Sequence, residues 1–375
     1  MQRARQTQQR RPRRALWLAL AGVAVVAAIA GTIALTTRDR SVGIGASKMP
    51  CVYNDSIAAF GENLLYYDGV SIHCISPTGS VRWSFQIGAD AGFSANEQIV
   101  VAWAGNTIYI LDRNGNSSYN DNLGETIQFA RAGTQYIGAV IGDVTSPRLV
   151  VKDHTGAHMD EEADAYRDLI LLDVGFYGKN GEYMWTLALD VFGTASNTLL
   201  NTYEVGKMNT GEVSLGEPIT YGVLYENSRL RVIGTRNMKS YNYRGTEDTT
   251  LNALVYGWRM IDSAIPERGD AQMLFAPTTQ TENQYDIREL RVISGTSDTR
   301  YTLPDTCLGA AVYNRGVYAL SATQLYYAAP GDRRFTAYPL PIGEAQATRY
   351  ITRLNGGRIV LASGDDVYVV TLPRN

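Results

Sequence analysis

Short apolar runs separated by glycine-rich turns fill the chain from Cys51 onward. Val70–Ser76, for example, is followed by the turn Pro77-Thr78-Gly79 and then by Val81–Ile87. Short runs that are rich in β-branched and aromatic residues and that end at Gly, Pro, Asn or Asp predict β-strands. We therefore expect an all-β domain, and no segment of this part of the chain predicts a helix.

The same order of strand, turn and strand returns along the sequence. A relative of Val70–Gly88 appears 36 residues later as Asn106–Gly124. A repeat of about 40 residues that holds several strands is typical of a propeller blade. The nearly unbroken apolar run Gln98–Trp103 agrees with sheets that neighbouring sheets cover on both faces. The pattern therefore predicts a β-propeller of four-stranded blades.

The last repeat determines how the ring closes. We count eight repeats and favour eight blades, with seven as the alternative. The last repeat has only three strands, Tyr350–Leu354, Arg358–Ala362 and Val367–Leu372. Because a missing strand would leave an open sheet edge, we expect the segment around Val42–Ser47 to supply the outer strand. The predicted boundaries are a linker at 37–50 and a propeller at 51–375.

Composition supports β structure and excludes one class of partner. Hydrophobic residues make up 45% of the chain and charged residues only 19%, with 36 Gly and 24 Tyr, a balance that favours strands. Residues 1–40 hold eight Arg and one Asp, and the remainder holds 26 basic and 36 acidic side chains. Because an acidic domain repels phosphate backbones, we expect it to bind no nucleic acid.

The N-terminal region predicts a membrane anchor. Residues 1–14 contain six Arg, and Ala15–Leu35 contains 21 residues without a charge. A helix of that length spans about 30 Å, the thickness of the hydrocarbon core of a bilayer. We predict a basic cytoplasmic segment at 1–14, a transmembrane helix at 15–36 and, from the position of the arginines, a propeller outside the cell membrane. A signal peptide cleaved after Ala28-Ile29-Ala30 is the alternative.

Two glycine–tryptophan pairs carry a resemblance to known propellers. Gly79 and Trp83 are four residues apart, as are Gly181 and Trp185. The first pair, in PTGSVRWSFQIG, resembles the tryptophan-docking repeat of quinoprotein-like propellers, which include outer-membrane assembly lipoproteins. That resemblance implies that the Gly forms a turn and the Trp packs against the next blade, with Tyr119 in the Trp position of the second repeat. The second pair, in FYGKNGEYMWTLALD, resembles a hairpin of WD40-like propellers.

The whole arrangement resembles a bacterial family of membrane-anchored propellers that is known only as a domain of unknown function. The common features are a basic N-terminal segment, one apolar helix and a propeller that holds both glycine–tryptophan motifs. The resemblance covers nearly all of the chain. It implies a single-pass membrane protein and transfers no catalytic residue.

Candidate chemistry is sparse in this sequence. We expect His73 to pack inside a strand, and we interpret Met159–Asp164, next to His154 and His158, as a solvated acidic loop rather than a divalent-metal site. No catalytic or phosphate-binding motif occurs. We therefore predict no catalytic residue, no cofactor and no metal ligand.

The three cysteines are too far apart in the sequence for a metal motif. Cys51, Cys74 and Cys307 are predicted to be buried free thiols, and a Cys51–Cys307 bridge between neighbouring blades is conceivable.

One stretch offers candidate binding residues. Lys239–Gly245 places Tyr241 and Tyr243 on one strand face beside Arg244, and Trp258 follows in the same repeat. Tyr, Trp and Arg are frequent in interface hot spots. We predict a non-catalytic scaffold or sensor that binds a protein or glycan partner in the cell envelope. The alternative is an envelope enzyme, namely a glycoside hydrolase, a lyase or a quinoprotein-like oxidoreductase, with a site at the ring axis.

Overall fold

The computed structural model describes residues 44–207, 211–217, 219–242, 244–266, 269–278 and 286–373. These residues form eight sheets of four antiparallel strands, the blades of a β-propeller. The prediction of eight four-stranded blades is confirmed, and the seven-bladed alternative is wrong. No helix within the described ranges is long and apolar enough to cross a membrane. The predicted anchor at 15–36 and the basic segment at 1–14 lie outside those ranges.

The first four blades follow one another along the chain, after a strand β1 (Ala46–Val52) that belongs to blade 8. Blade 1 contains β2 (Ile57–Phe60), β3 (Asn63–Tyr67), β4 (Ser71–Ile75) and β5 (Val81–Gln86). Blade 2 contains β6 (Ala91–Ala95), β7 (Val100–Ala104), β8 (Thr107–Leu111) and β9 (Ser117–Asn122). Blade 3 contains β10 (Ile127–Ala132), β11 (Tyr136–Asp143), β12 (Ser146–Asp153) and β13 (His158–Glu162). Blade 4 contains β14 (Ile170–Tyr177), β15 (Tyr183–Asp190), β16 (Asn197–Glu204) and β17 (Gly211–Ser214).

The other four blades complete the ring. Blade 5 contains β18 (Thr220–Glu226), β19 (Arg229–Gly234), β20 (Asn237–Asn242) and β21 (Ala253–Leu254). Blade 6 contains β22 (Trp258–Ala264), β23 (Gln272–Pro277), β24 (Ile287–Ser294) and β25 (Ser297–Cys307). Blade 7 contains β26 (Gly309–Tyr313), β27 (Gly316–Leu320), β28 (Gln324–Ala328) and β29 (Thr336–Pro339). Blade 8 contains β30 (Arg349–Leu354), β31 (Arg358–Ser363), β32 (Asp366–Thr371) and β1. Two 3₁₀ turns, Asp164–Tyr166 and Thr249–Leu251, lie in loops.

The first strand of each blade after β1 lies nearest the ring axis. β2 contacts both β6 and β30, and β26 contacts both β22 and β30. The chain then runs outward through each blade, so that the fourth strand forms the rim. Eight clusters of buried apolar side chains separate the blades, one at each interface. Each sheet is therefore covered on both faces, as the apolar runs of the sequence predict.

The ring closes through β1, which precedes blade 1 in the chain but pairs with the last strand of blade 8. Ala46 lies opposite Val370, and Lys48 lies opposite Tyr368. Met49 is 2% exposed and packs between blades 8 and 1. The prediction that a segment before the propeller supplies the missing strand is confirmed. The strand covers Ala46–Val52, however, and begins later than the expected Val42–Ser47.

Trp83 of blade 1 packs on a turn of blade 2. Its Nε1 donates to the backbone oxygen of Arg113 over 2.9 Å, and its ring covers Gly115, which has a φ of +79°. Tyr119 of blade 2 covers Gly156 of blade 3 in the same way. The docking that the sequence resemblance implies for Trp83 and Tyr119 is therefore observed.

One expectation for an individual segment is corrected. Met159–Asp164 is not a loop, because His158–Glu162 forms the outer strand β13, in which Asp160 lies opposite Val151. Asp160 also accepts a hydrogen bond from the backbone N–H of Gly206 in the next blade. The charged side chains of β13 suit a rim strand, because such side chains discourage pairing with the edge of another sheet.

The three cysteines are free, as expected, and no Cys51–Cys307 bridge forms. Cys74 and Cys307 are fully buried, and Cys51 is half-buried on β1. Burial raises the pKa of the Cys51 and Cys74 thiols to about 11 and that of Cys307 to about 12. These thiols therefore stay protonated at neutral pH.

Gly115→Ala is expected to lower the free energy of unfolding by about 2–3 kcal/mol. The left-handed backbone costs about 1–2 kcal/mol for any residue with a Cβ atom, and overpacking adds a further amount. The new Cβ would lie 2.5 Å from Trp83 Cδ2. Denaturant unfolding followed by tryptophan fluorescence measures the loss.

Gly105→Ala is the matched control for this prediction. Gly105 also has a positive φ, of +58°, but no atom lies within 4 Å of its Cβ position. The control should therefore show only the backbone cost of about 1–2 kcal/mol. Equal losses in the two variants would show that the contact with Trp83 is tolerant of an added methyl group.

Candidate binding face

The two faces of the propeller differ in the apolar side chains that they expose. We call the face that holds the second-to-third strand turns and the blade-to-blade connections the crossover face. The opposite face, which holds the other turns, is the hairpin face. Eleven large hydrophobic residues are exposed among those described, and nine of them lie on the crossover face. The two exceptions are Val81 and Ile265.

Six of these residues lie on consecutive blades and form what we call the apolar strip. They come from the loops and strand ends of blades 4 and 5 on the crossover face. Phe192, Leu254 and Tyr256 are the most exposed, at 62%, 67% and 72%. The six members are Val191, Phe192, Ile219, Tyr221, Leu254 and Tyr256.

Backbone hydrogen bonds hold the loops of the apolar strip together. Thr198 N donates to Glu217 O over 3.0 Å and Thr235 N donates to Ile219 O over 3.1 Å. Val255 N donates to Arg236 O over 2.8 Å. The loops of blades 4 and 5 are thereby joined into one surface, and the strip does not depend on a single hairpin.

The strip continues toward the axis into a cleft of about 390 Å³ between the inner strands of blades 6, 7 and 8. Met260, Ile261, Ala310 and Tyr350 are among the side chains that line the cleft. Tyr221 links the two features, because its hydroxyl accepts a hydrogen bond of 3.0 Å from Met260 N. An apolar surface with an adjoining pocket suits a protein side chain that inserts as an anchor.

Trp258, at the start of the inner strand β22, adjoins this surface between blades 5 and 6. Its ring is half-buried, and the guanidinium of Arg300 lies 5.4 Å and that of Arg291 5.9 Å from the ring centroid. Arg291 Nη1 also donates to Leu254 O over 2.7 Å. Arg291 therefore connects the tryptophan ring with the backbone of the exposed Leu254.

The four candidate binding residues of the sequence do not form one site. Tyr241 is 3% exposed and packs between blades 4 and 5, where burial raises its pKa to about 12, so it cannot contact a partner. Arg244 lies in an exposed turn of the hairpin face, and Tyr243 lies outside the described residues. Trp258 begins the inner strand of blade 6, whereas Tyr241 belongs to blade 5, and Trp258 lies on the crossover face. A local sequence pattern had grouped residues that the blade separates.

The ring axis carries ion pairs between inner strands. Arg131 Nε lies 2.8 Å from Asp173 Oδ1, and Arg353 Nε lies 3.0 Å from Asp262 Oδ2. Burial raises the pKa of Asp173, and Arg131 opposes that shift. Among the described residues, no group of three His, Cys, Asp or Glu side chains could hold a metal ion. These carboxylates connect the inner strands of different blades.

The three histidines have different surroundings. His154 Nε2 lies 3.1 Å from Gly133 O, and His158 is exposed on β13. His73 stacks on Tyr66, and both of its ring nitrogens contact side chains, those of Asp68 and Ser84. The sequence analysis had found neither Asp68 nor Ser84. The pairing of β4 with β5 in the folded blade places Ser84 opposite His73.

No protein-family model and no curated protein matches the chain. Among solved structures, BamB from Moraxella catarrhalis has a TM-score of 0.54 at 8% identity and covers 88% of this chain and 99% of its own. Sqt1 from Saccharomyces cerevisiae has the same score and identity and covers 88% and 100%. The Pan2 WD40 domain of Neurospora crassa has a TM-score of 0.49 at 11% identity and covers 86% and 89%. At these identities the first two similarities show the propeller fold alone. The membrane-anchored and quinoprotein-like resemblances stay predictions.

Proposed function

We propose that the chain is a binding scaffold of the cell envelope, anchored in the membrane by residues 15–36, whose propeller binds a protein partner on its crossover face. The apolar strip is the observation that carries this proposal. Contiguous apolar surface that is exposed on a folded domain marks an interaction site, because its removal from water by a partner is favourable. Scattered single residues would carry no such meaning.

The composition of the surface favours a protein over a glycan. The strip contains Phe192, Leu254 and Tyr256, and beside it lies the Trp258 ring, which two guanidinium groups approach. Aromatic and Arg side chains dominate hot spots of protein interfaces, and aliphatic side chains gain affinity only by burial against other apolar groups. A protein partner with an apolar anchor therefore fits this surface.

The propeller begins on the face opposite to the apolar strip. The fourth strand of a blade runs from the hairpin face to the crossover face, so β1 starts at the hairpin face. The apolar strip thus lies on the face opposite to the point at which the chain enters the ring.

One experiment tests both the location and the surface. Tyr256→Cys is treated in spheroplasts with a membrane-impermeant maleimide that carries a photo-cross-linker. We expect labelling, because residue 256 is 72% exposed, and a discrete cross-linked protein after irradiation. Adding Phe192→Asp should lower that cross-link about tenfold or more, as the loss of a hot-spot side chain does.

Val81→Cys is the matched control, because Val81 is 52% exposed but lies on the hairpin face. It should be labelled equally and give no cross-linked protein. If neither cysteine is labelled until the cells are lysed, the proposed location of the propeller outside the membrane is refuted. The same cross-linked protein from both cysteines, or its persistence with Phe192→Asp, would refute the role of the strip.

A further inference from the structure

Three side chains of blade 1 form a hydrogen-bonded chain of carboxylate, imidazole and hydroxyl. His73 Nε2 lies 2.9 Å from Asp68 Oδ2, and His73 Nδ1 lies 2.7 Å from Ser84 Oγ. Asp68 lies in the turn between β3 and β4, His73 on β4 and Ser84 on the rim strand β5. The three residues lie outside the apolar strip and the cleft.

The blade orients each member of this chain. Asp68 Oδ1 accepts hydrogen bonds from Val70 N over 2.9 Å and from Ser71 N over 2.7 Å, which leaves Oδ2 directed at the imidazole. The His73 ring stacks on Tyr66, with the centroids 6.1 Å apart. Ser84 lies directly opposite His73 in the pairing of β4 with β5. The geometry is therefore fixed by a turn, a stacked ring and a strand register.

The protonation pattern follows from the carboxylate. The hydrogen bond from His73, followed by those from the backbone, lowers the pKa of Asp68 to about 2. An ionised carboxylate only accepts hydrogen bonds, so Nε2 carries the ring proton and Nδ1 presents its lone pair to the Ser84 hydroxyl. A serine that donates to a base held by a third group is the arrangement that activates a nucleophile.

We propose that Ser84 is a nucleophile, with His73 as its general base and Asp68 as the group that orients the base, and that the chain hydrolyses small carboxylic esters at this site. Ser84 Oγ bonds to the ester carbonyl carbon as its proton passes to His73 Nδ1. The bond to the alcohol oxygen then breaks, and that oxygen takes the proton from Nδ1. Water, deprotonated by His73, releases the acid from Ser84, and the proton returns to Oγ.

The edge position of β5 provides access and a donor for the oxyanion. β5 is the outer strand of blade 1. Ile87 N donates to Val70 O, and residues of an antiparallel ladder alternate between bonded and non-bonded pairs. The Ser84 N–H therefore points away from β4 to the open edge. The amide of the nucleophile itself is a component of known oxyanion holes. Because Ser84 is exposed, the site suits short acyl groups on accessible esters.

The test uses the full-length chain in mild detergent, with a fluorophosphonate probe and p-nitrophenyl acetate. We expect mass spectrometry to find the probe on Ser84, and Ser84→Ala to lose both labelling and ester hydrolysis. His73→Gln should slow both about 100-fold, the effect of losing a general base. Ser214→Ala should change neither, because Ser214 is an exposed serine of the rim strand β17 that contacts Asn197 Nδ2 instead of a base.

The pH dependence separates a base from a merely structural histidine. Asp68 from the turn and Tyr66 from β3 contact the His73 ring, and the charges of Asp68 and of Cys51 on β1 act on Tyr66. Burial raises the pKa of Tyr66 and raises that of Cys51 to about 11. With His73 as the base, the labelling rate of the wild-type chain should depend on pH, and His73→Gln should change that dependence.

Two outcomes would overturn the proposal. One is no labelling of Ser84 by the probe in a chain that has the thermal transition of the folded protein. The other is labelling of His73→Gln at the wild-type rate, or with an unchanged pH profile. If His73→Gln unfolds, Asp68→Asn takes its place, with slower labelling and a shifted pH profile expected.

Discussion

Replacing Ala46–Val52 by a glycine–serine segment of equal length should open the ring and remove the cooperative unfolding transition. The change deletes the pairing of β1 with β32 and removes Met49 from the core between blades 8 and 1. Loss of one buried Met side chain alone costs about 2–5 kcal/mol. With the ladder lost as well, we expect a loss of at least about 5 kcal/mol, comparable with the whole stability of a typical domain.

Thermal unfolding by circular dichroism and size-exclusion chromatography measure these effects. The replaced chain should also self-associate, because β32 becomes an unpaired sheet edge. Lys48→Ala is the control, since it removes from β1 only the exposed Lys48–Asp366 pair, and it should melt with the wild-type chain. A monomer with the wild-type melting curve after replacement of β1 would show that the ring does not need this closure.

The repeats were readable in the sequence because a blade is assembled from neighbouring hairpins. Turns such as Asp68-Gly69 and Pro77-Thr78-Gly79 mark strand ends within a few residues, and this local information is sufficient to count blades. Strands with few of these signals could not be recognised in the sequence, and β22 and β25 of blade 6 are two examples. β22 contains a register shift between Met260 and Asp262, and β25 is largely exposed, so neither has a regular apolar pattern.

The closing strand shows a different limit. The last repeat has three strands in the sequence, so a fourth was expected. The count did not show where in the chain that fourth strand lies. The alternation of Val42 and Ile44 with glycines indicated an earlier start than the observed Ala46. Met49 packs into the core instead, in a strand whose register shifts between Lys48 and Val52. A partner strand more than 300 residues away selects that register, and no local pattern encodes it.

The binding residues could not be found from composition. Tyr241 and Tyr256 have similar aromatic and polar neighbours in the sequence, yet the exposed fractions of the two residues are 3% and 72%. Both faces of a blade strand are covered, so alternation along the strand does not distinguish a partner-facing residue from a core residue. A residue can face a partner when it lies at a strand end on the crossover face. This position follows only from the assembled ring.

The pairing of Ser84 with His73 was hidden for a related reason. The ladder between β4 and β5 shifts register between Cys74 and Ile75. Extending the pairing of Ile75 with Val81 without that shift would place Trp83 opposite His73. A single bulge therefore brings the serine to the histidine, and bulges are known to re-aim side chains.

A buried ion pair joins blades 5 and 6 and is the site of the second large effect. Arg231 is 0% and Glu226 5% exposed in their side chains, and Arg231 Nε lies 2.7 Å from Glu226 Oε1. Arg231 Nη1 donates to Leu251 O over 2.7 Å and Nη2 donates to Gly295 O over 3.2 Å. Glu226 Oε2 accepts from Ala271 N over 2.6 Å. The buried pair thus connects backbone groups of both blades.

Arg231→Met is expected to lower the free energy of unfolding by about 3–5 kcal/mol, because it leaves the Glu226 carboxylate buried without its cation. Adding Glu226→Gln should restore part of that loss, since the neutral amide still accepts from Ala271 N and no charge remains buried. Arg229→Ala, two residues away on β19, removes only the more exposed pair with Asp248 and should change stability little. Denaturant unfolding measures the free energy of unfolding of the three variants. If the double variant is less stable than Arg231→Met, the buried charge of Glu226 does not cause the loss of stability. The loss then comes from the missing hydrogen-bond donors to Leu251 O and Gly295 O.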